Sequence, residues 1–480
     1  MRLPLSALFV LAAYVVGITS FGTWLGRRSR SVRDYFLAGR SVPFWAIAAC
    51  IVATETSTLT FIGVPGMAYL GNWTFLQLAL GYVAGRILIA ALFLPAYFRG
   101  DLYTSYELLE RRFGGGGVRA ASAGIFLLYR TLGDGIRLHA AGLVLAVAAG
   151  VPEWSCVLVL GAAMILYTEQ GGVTATIWTD VIQMFVYLGG ALVCLVSVAR
   201  LLPHGVAGAM AAAASAGKLQ WVDLSWSFTE PYTLLAGLVG GMFLTLATHG
   251  TDHYLVQRML VARSQREASL GLVLSGFLVF AQFVLFLFLG TLLWAHYGGR
   301  SFARGDDVLP SFISTELAGG WTGFILAAIV AAALSPSLNS MAGTTLRDFY
   351  LPLFRPGAGE SEQLRMARRF TVAWGLAQIG VALLAQNVDS ALNAGLAALG
   401  YASGPTVGAF LLAVLTTRAN AFGTLLGMAS GLLVSLSVGL LSPVLLGVPG
   451  VAWTWNVAVG ASVTFAIGLA TSALRPAAAQ

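Results

Sequence analysis

Hydrophobic residues run along this chain in long blocks, with polar positions confined to short breaks between them. Apolar runs of about 20 residues are long enough to cross a bilayer as a helix. Thirteen such spans are predicted, over 4–26, 43–66, 73–97, 118–149, 153–170, 174–200, 231–249, 269–296, 319–345, 370–387, 390–416, 420–442 and 453–474. Most connections are short, and the main exceptions are 201–230, 298–318 and 346–369. The pattern predicts an all-α polytopic membrane protein. One connection, from Ser105 to Arg112, reads as an amphipathic cytoplasmic helix that caps the bundle.

Composition supports this class. The 480 residues are 58% hydrophobic and only 10% charged, whereas soluble domains carry about 25% charged residues. A net charge of +7 would point a soluble protein towards nucleic acid. Here the basic residues sort by connection instead. With the N-terminus outside, inner connections hold 18 arginines, and outer ones hold Arg2, Arg200, Lys218, Arg300 and Arg304. Cytoplasmic loops carry the excess of Lys and Arg, so the expected C-terminus is cytoplasmic and no nucleic-acid partner is implied. No small-residue cleavage site is followed by a soluble domain, and the first span is expected to remain as an anchor. Cys50, Cys156 and Cys194 all lie in apolar spans, with neither disulfide-framework nor metal-ligand spacing.

Chemistry is concentrated where the apolar blocks are violated. The stretch from Ala49 to Gly66, ACIVATETSTLTFIGVPG, places Glu55 near the middle of a span, among Thr54, Thr56, Ser57, Thr58 and Thr60, with Gly63, Pro65 and Gly66 following. An acid at membrane depth costs about 2.5–3.5 kcal/mol and faces a cavity, an ion or a partner. Backbone released from a helix at that depth lines a cavity or is buried in protein. The stretch therefore reads either as a broken helix holding a cation and a small solute, or as an ordinary span with Glu55 in a structural pair. Span 118–149 contains Arg130, Asp134, Arg137 and His139; the first three share one helix face. Pairing among them is the structural reading, and Arg137 as counter-charge to an anionic solute is the functional one. Asp180 lies two turns into the helix that follows Gly171 and Gly172, with Arg99 or Arg258 as potential neutralising partners. Span 231–249 is interrupted by Gly237, Gly240 and Gly241, with Gly250 just beyond its end, and carries Thr245, Thr248 and His249. An interrupted helix opening each of two halves is the pointer to an inverted-repeat transporter. Ser335, Ser337, Asn339 and Ser340 cluster around Pro336, and Gly404–Pro405 offers a hinge in span 390–416.

Seven segments in order, RDYFLAGR (33–40), FIGVPG (61–66), YELLERRFG (106–114), GGVTATIWTDVIQ (171–183), GTDHYLVQR (250–258), SLNSMAGTTLRD (337–348) and GPTVGAFLL (404–412), resemble the sodium/solute symporter family over nearly the whole chain. The resemblance implies a five-plus-five inverted-repeat core. A leading span and loop would occupy 1–42, the repeats 43–200 and 231–416, and two trailing spans 417–480. It also implies cation-coupled solute transport, with sodium (or a proton) as coupling ion and no other cofactor. Its sodium site would use the carbonyls of Ala53, Thr56 and Ile329, with two hydroxyls at positions that are Ala332 and Ala333 here. A methyl cannot ligate sodium, so Glu55 is the candidate to strengthen that site or to carry a proton, and proton-coupled or uncoupled transport is the alternative reading. A second cation site would use Asp180 and Ser335. Sugar-transporting members place Glu and Gln where this chain has Leu59 and Thr60, a Glu near Ala79, and a gating Tyr at Thr248. The loss of that set is expected to disfavour a sugar, leaving a carboxylate, amino acid, vitamin or other anion. Thr60, Thr245, Thr248 and Arg137 are the candidate solute contacts. An enzyme is not expected: the five histidines form no HExxH, and no GxSxG or P-loop occurs. A non-transporting solute sensor is the rival from another class.

Overall fold

The computed structural model describes residues 5–26, 31–100, 102–317, 320–333, 337–385, 391–438 and 450–474, with backbone alone at 58–59, 144, 147–149, 332–333 and 391–399. The helices of the first half are α1 (Leu5–Gly26), α2 (Val32–Leu37), α3 (Phe44–Glu55), α4 (Thr58–Leu70), α5 (Leu76–Phe98), α6 (Glu107–Phe113), α7 (Gly117–Ala149), α8 (Glu153–Leu201) and α9 (Gly205–Ser215). Those of the second half are α10 (Gly241–Thr245), α11 (His253–Leu260), α12 (Gln265–His296), α13 (Val308–Glu316), α14 (Gly320–Ala333), α15 (Leu338–Thr344), α16 (Leu351–Leu353), α17 (Glu360–Ala385), α18 (Ala391–Leu415), α19 (Ala421–Leu436) and α20 (Asn456–Leu474). No strand occurs among the described residues.

Helix occupies part or most of every predicted span. Among the described residues, five helices are long and apolar enough to cross a membrane alone, and α3 with α4 forms a sixth, bent by 66°. The count of thirteen is not established by that criterion, because the remaining segments are shorter, interrupted or more charged. Two predicted spans, 153–170 and 174–200, run together in α8. They meet at Gly172, whose φ of 55° and ψ of −155° change the helix direction. Only glycine adopts such a backbone without strain. The predicted cytoplasmic helix is α6, close to its expected bounds.

The break in the first repeat lies at Thr56–Ser57. Thr56 is extended, and Ser57 restarts the chain as N-cap of α4 through a reciprocal capping box with Thr60. Pro65 does not interrupt α4.

The second repeat departs from expectation. Its glycines do not interrupt the lead helix, which winds as π-helix over Ala236–Gly240, as α10, and again as π-helix over Leu246–Thr251. The break comes later, at Asp252, which is extended and caps α11 by accepting from the Tyr254 N–H. The glycines serve close approach instead. A Cβ at Gly237 or Gly241 would lie 2.7 or 2.5 Å from the backbone of α5. Gly404–Pro405 likewise does not break α18.

Packing places the site. α12 lies against α3, α4 and α5, α8 against α3 and α14, and α5 against α10. Residues of both broken helices line one cavity between them.

Candidate functional site

Beside the first break lies a cavity of about 490 Å³. The broken span contributes Thr54, Glu55, Ser57 and Thr60, α7 contributes Arg130 and Arg137, and the second lead helix contributes Thr245, Thr248 and His249. Tyr82, Leu244, Tyr254 and Leu255 supply apolar wall. A larger cleft, about 910 Å³, runs along the start of α17 at Glu169, Arg365, Arg368 and Arg369. It contains none of the residues at the breaks and is a surface feature.

Interruption changes which backbone groups are available. Val52 O still receives Thr56 N–H at 3.1 Å and Thr56 Oγ1 at 2.8 Å. The next amide, Ser57 N–H, donates to Thr60 Oγ1 at 3.4 Å, so Ala53 O loses its usual helical donor. Thr56 Oγ1 is held by Gln282 Nε2 at 2.9 Å, with Tyr187 OH 3.2 Å away. Thr56 thus sits behind the cavity, tying the break to α8 and α12.

Glu55 carries the charge that sequence alone made conspicuous, and Arg86 neutralises it. The Arg86 guanidinium donates to Glu55 Oε2, is fully buried, and lies 3.1 Å from His249 Nε2. His249 Nδ1 in turn meets Thr248 Oγ1 at 2.9 Å. Arg86 Nε and Nη1 have no partner among the described residues. The carboxylate is therefore not a bare cation ligand in this structure. Sequence reasoning missed Arg86, although it is the lone charge in predicted span 73–97.

On α7, the expected cluster forms but is shared differently. Arg130 donates its Nε to Asp252 Oδ2 at 2.9 Å and pairs with that carboxylate through Nη2 as well, while Asp134 Oδ1 is 3.6 Å from Arg130 Nη1. The other Asp134 oxygen accepts from Ser337 Oγ. Arg137 approaches Asp134 only at 3.9 Å, and its side chain is 31% exposed. Of three guanidinium groups, Arg86 and Arg130 are committed to close carboxylates, and Arg137 opens on the cavity. His139, by contrast, meets Glu153 at 2.5 Å.

Asp180 lies one side chain deeper. Its Oδ2 accepts from Cys50 Sγ at 3.1 Å, Thr54 Oγ1 at 3.2 Å and Arg258 Nη2 at 3.3 Å. Arg258, not Arg99, is its charge partner. Ile329 is buried on α14. Ser335 and Pro336 lie outside the described residues, as do the side chains at 332 and 333. The structure thus brings Glu55, Thr60, Thr245, Thr248 and Arg137 to one cavity, and keeps Asp180 and Thr56 in adjoining buried networks. Among the described residues no group of three or more His, Cys, Asp or Glu is disposed to hold a metal ion.

A profile of the sodium:solute symporter family matches residues 35–431. The chain belongs to that family. The symporter is 31% identical to the sodium/sialic acid symporter NanT of Aliivibrio fischeri, over 88% of this chain and 85% of the relative. It is 29% identical to the human sodium/iodide cotransporter, over 90% of this chain and 69% of the relative. It also matches the solved structure of a substrate-bound, outward-open Na⁺-coupled sialic acid symporter, at 26% identity, a TM-score of 0.88 and 98% coverage of both chains. Membership and fold make the protein a multi-pass, sodium-coupled solute symporter with an inverted-repeat core. One expectation loses its footing here. The absence of the sugar-type hydrogen-bonding set does not remove sugar acids from consideration, because two of these relatives are named for sialic acid.

Proposed function

We propose that the symporter imports an organic anion across the cytoplasmic membrane with sodium, by alternating access, and that Arg137 holds the anion's carboxylate. The supporting observation is the contrast among the three arginines at the site, of which Arg130 and Arg137 line the cavity and Arg86 is buried behind Glu55. Arg137 faces the cavity with its nearest described carboxylate at 3.9 Å, whereas Arg86 and Arg130 are already closely paired. A planar guanidinium presents parallel N–H donors that suit a carboxylate. The relatives named for sialic acid and for iodide share a negatively charged cargo. An ion as small as iodide would leave most of a cavity of about 490 Å³ unfilled, which favours an organic body. Thr60, Thr245 and Thr248 supply hydroxyls for the solute's polar groups.

Sodium is assigned to the break. The carbonyls of Ala53, Thr56 and Ile329 are its proposed ligands, with Asp180 and Ser335 as a second, deeper site. Hard cations take oxygen ligands, and the amide that would normally occupy Ala53 O is turned towards Thr60. The Glu55–Arg86 pair favours sodium over Glu55 as a proton carrier. The N-terminus lies outside and the C-terminus in the cytoplasm, and the units 43–200 and 231–416 rock about the cavity.

Counterflow in proteoliposomes tests this. Labelled sialic acid, short monocarboxylates, aryl acids, iodide, glucose and proline would be offered with sodium, with a pH gradient and with neither. Sodium-dependent exchange of at least one carboxylate is expected. Exchange confined to neutral solutes, or equal exchange without sodium, would refute the reading.

A further inference from the structure

We infer that the last helix and the turn leading into it, which lie beyond the second repeat, build the outer wall of the solute cavity, and that Trp453 and Asn456 select for carboxylates with a sizeable body. This rests on the organic-anion reading above.

Four residues at the start of this segment, Trp453, Thr454, Asn456 and Val457, line the same cavity as Arg137, Thr245 and Thr248. Their position is fixed from two sides. A Cβ at Gly240 would come within 2.7 Å of Thr454 O, and one at Gly404 within 3.0 Å of Val457 O. The turn Trp453–Trp455 and the first turn of α20 that follows it are therefore wedged between the second lead helix and α18. The connection into it is pinned by Ala452 N–H donating to Phe228 O at 2.8 Å, and by the Phe228 and Trp455 rings, 5.3 Å apart. With the N-terminus outside, this end of α20 faces the exterior.

The chemistry of the wall differs from that of the opposite side. Thr454 and Asn456 are buried, but the Trp453 indole remains 46% exposed. An indole held at a cavity wall offers a broad apolar face, and an aromatic face packs against flat or C–H-rich surfaces. The Asn456 amide offers both a donor and an acceptor. A solute with its carboxylate on Arg137 and its body against α20 would bridge the repeats and the trailing helix. Cavities of roughly 300–1,000 Å³ enclose ligands well above the size of acetate or lactate. The inferred class is a carboxylic acid as large as a sugar acid or an aryl acid, with at least one polar substituent beyond the carboxylate.

The test uses the full-length protein in proteoliposomes. Competition against counterflow ranks large and short carboxylates for the wild type, Trp453→Ala, Trp453→Phe and Asn456→Ala. Trp453→Ala and Asn456→Ala should each reduce the preference for large acids by about tenfold, with the half-saturating sodium concentration unchanged. Trp453→Phe, which keeps an aromatic face, should retain the preference. In a separate arm, Trp453→Cys is treated with a membrane-impermeant thiol reagent. Cys50, Cys156 and Cys194 are all buried, so background labelling is low, and transported solute should slow the labelling. Selectivity within about twofold of wild type in both alanine variants, or labelling unaffected by saturating solute, overturns the assignment to α20 alone. A wild type that exchanges no carboxylate overturns the reading of the cavity, and this inference with it.

Discussion

At the scale of single residues, the site is a problem in charge placement. Glu55 and Arg86 are each costly at membrane depth, and each is tolerable because of the other. Glu55→Gln leaves a fully buried guanidinium without a counter-charge, a change that costs about 3–5 kcal/mol. We expect a lower unfolding temperature and lost uptake. Glu55→Gln combined with Arg86→Gln should recover stability but not transport, read by thermal unfolding and uptake on the same preparations. Arg137 behaves differently because it is not needed to neutralise a close partner. Arg137→Gln should leave folding intact and raise the solute KM by about 10–100-fold, the equivalent of a lost charged hydrogen bond of about 1.5–3 kcal/mol. An unchanged KM would remove Arg137 from the solute site. Sequence made Glu55 and the α7 cluster conspicuous because polar residues stand out in apolar blocks. It could not show that Arg86 reaches Glu55 or that Asp252 reaches Arg130, since those pairs join residues far apart in the chain.

At the scale of elements, buried polar knots join helices that must shift in transport. Asp180 connects α8 to α3 through Thr54 and to α11 through Arg258. Asp180→Asn is expected to weaken sodium dependence, and the double variant with Arg258→Gln separates two causes. Sodium dependence restored in the double variant would mean that Asp180 acts by neutralising Arg258. Dependence still lost would mean that the carboxylate ligates the ion.

A second knot ties α7 to the segment around Asp348. There Thr104 and Arg119 donate to Asp348 at 2.8 and 2.6 Å, and Arg119 also pairs with Glu110. Burial pushes the Asp348 carboxyl up to about 7, with Arg119 and Thr104 opposing. A carboxyl raised in the folded state stabilises fully below its unfolded value, and that contribution is lost as pH rises through the folded one. Between its ordinary value of 3.8 and about 7, Asp348 should therefore lose its stabilising effect. Asp348→Asn should flatten that part of the unfolding-temperature profile, and an unaltered profile would contradict the assignment. The lead helix of the second repeat was the least legible element. Its glycines read as interruptions, but Gly237 and Gly241 are packing positions against α5 and Gly240 one against Thr454, and the break at Asp252 is set by a cap whose significance shows only once the helix is seen to stop there.

At the scale of the whole molecule, the fold was legible because a bilayer imposes a coarse constraint. Long apolar blocks and an asymmetric distribution of arginine follow from insertion and orientation, not from detailed packing. A fluorescent reporter fused after Gln480 should report a cytoplasmic location, and an exterior signal would invert the proposed orientation. The gap at Thr56–Ser57 carries a final implication. It is maintained by the molecule's own groups, the Ser57–Thr60 capping box and the Gln282 clasp on Thr56, none of which requires cargo. A symporter must also travel back unladen. Bonds that the chain supplies to itself should hold the break on the way back as on the way in, so the return journey would need no rewinding of the central helix and the next passenger would meet a berth already made.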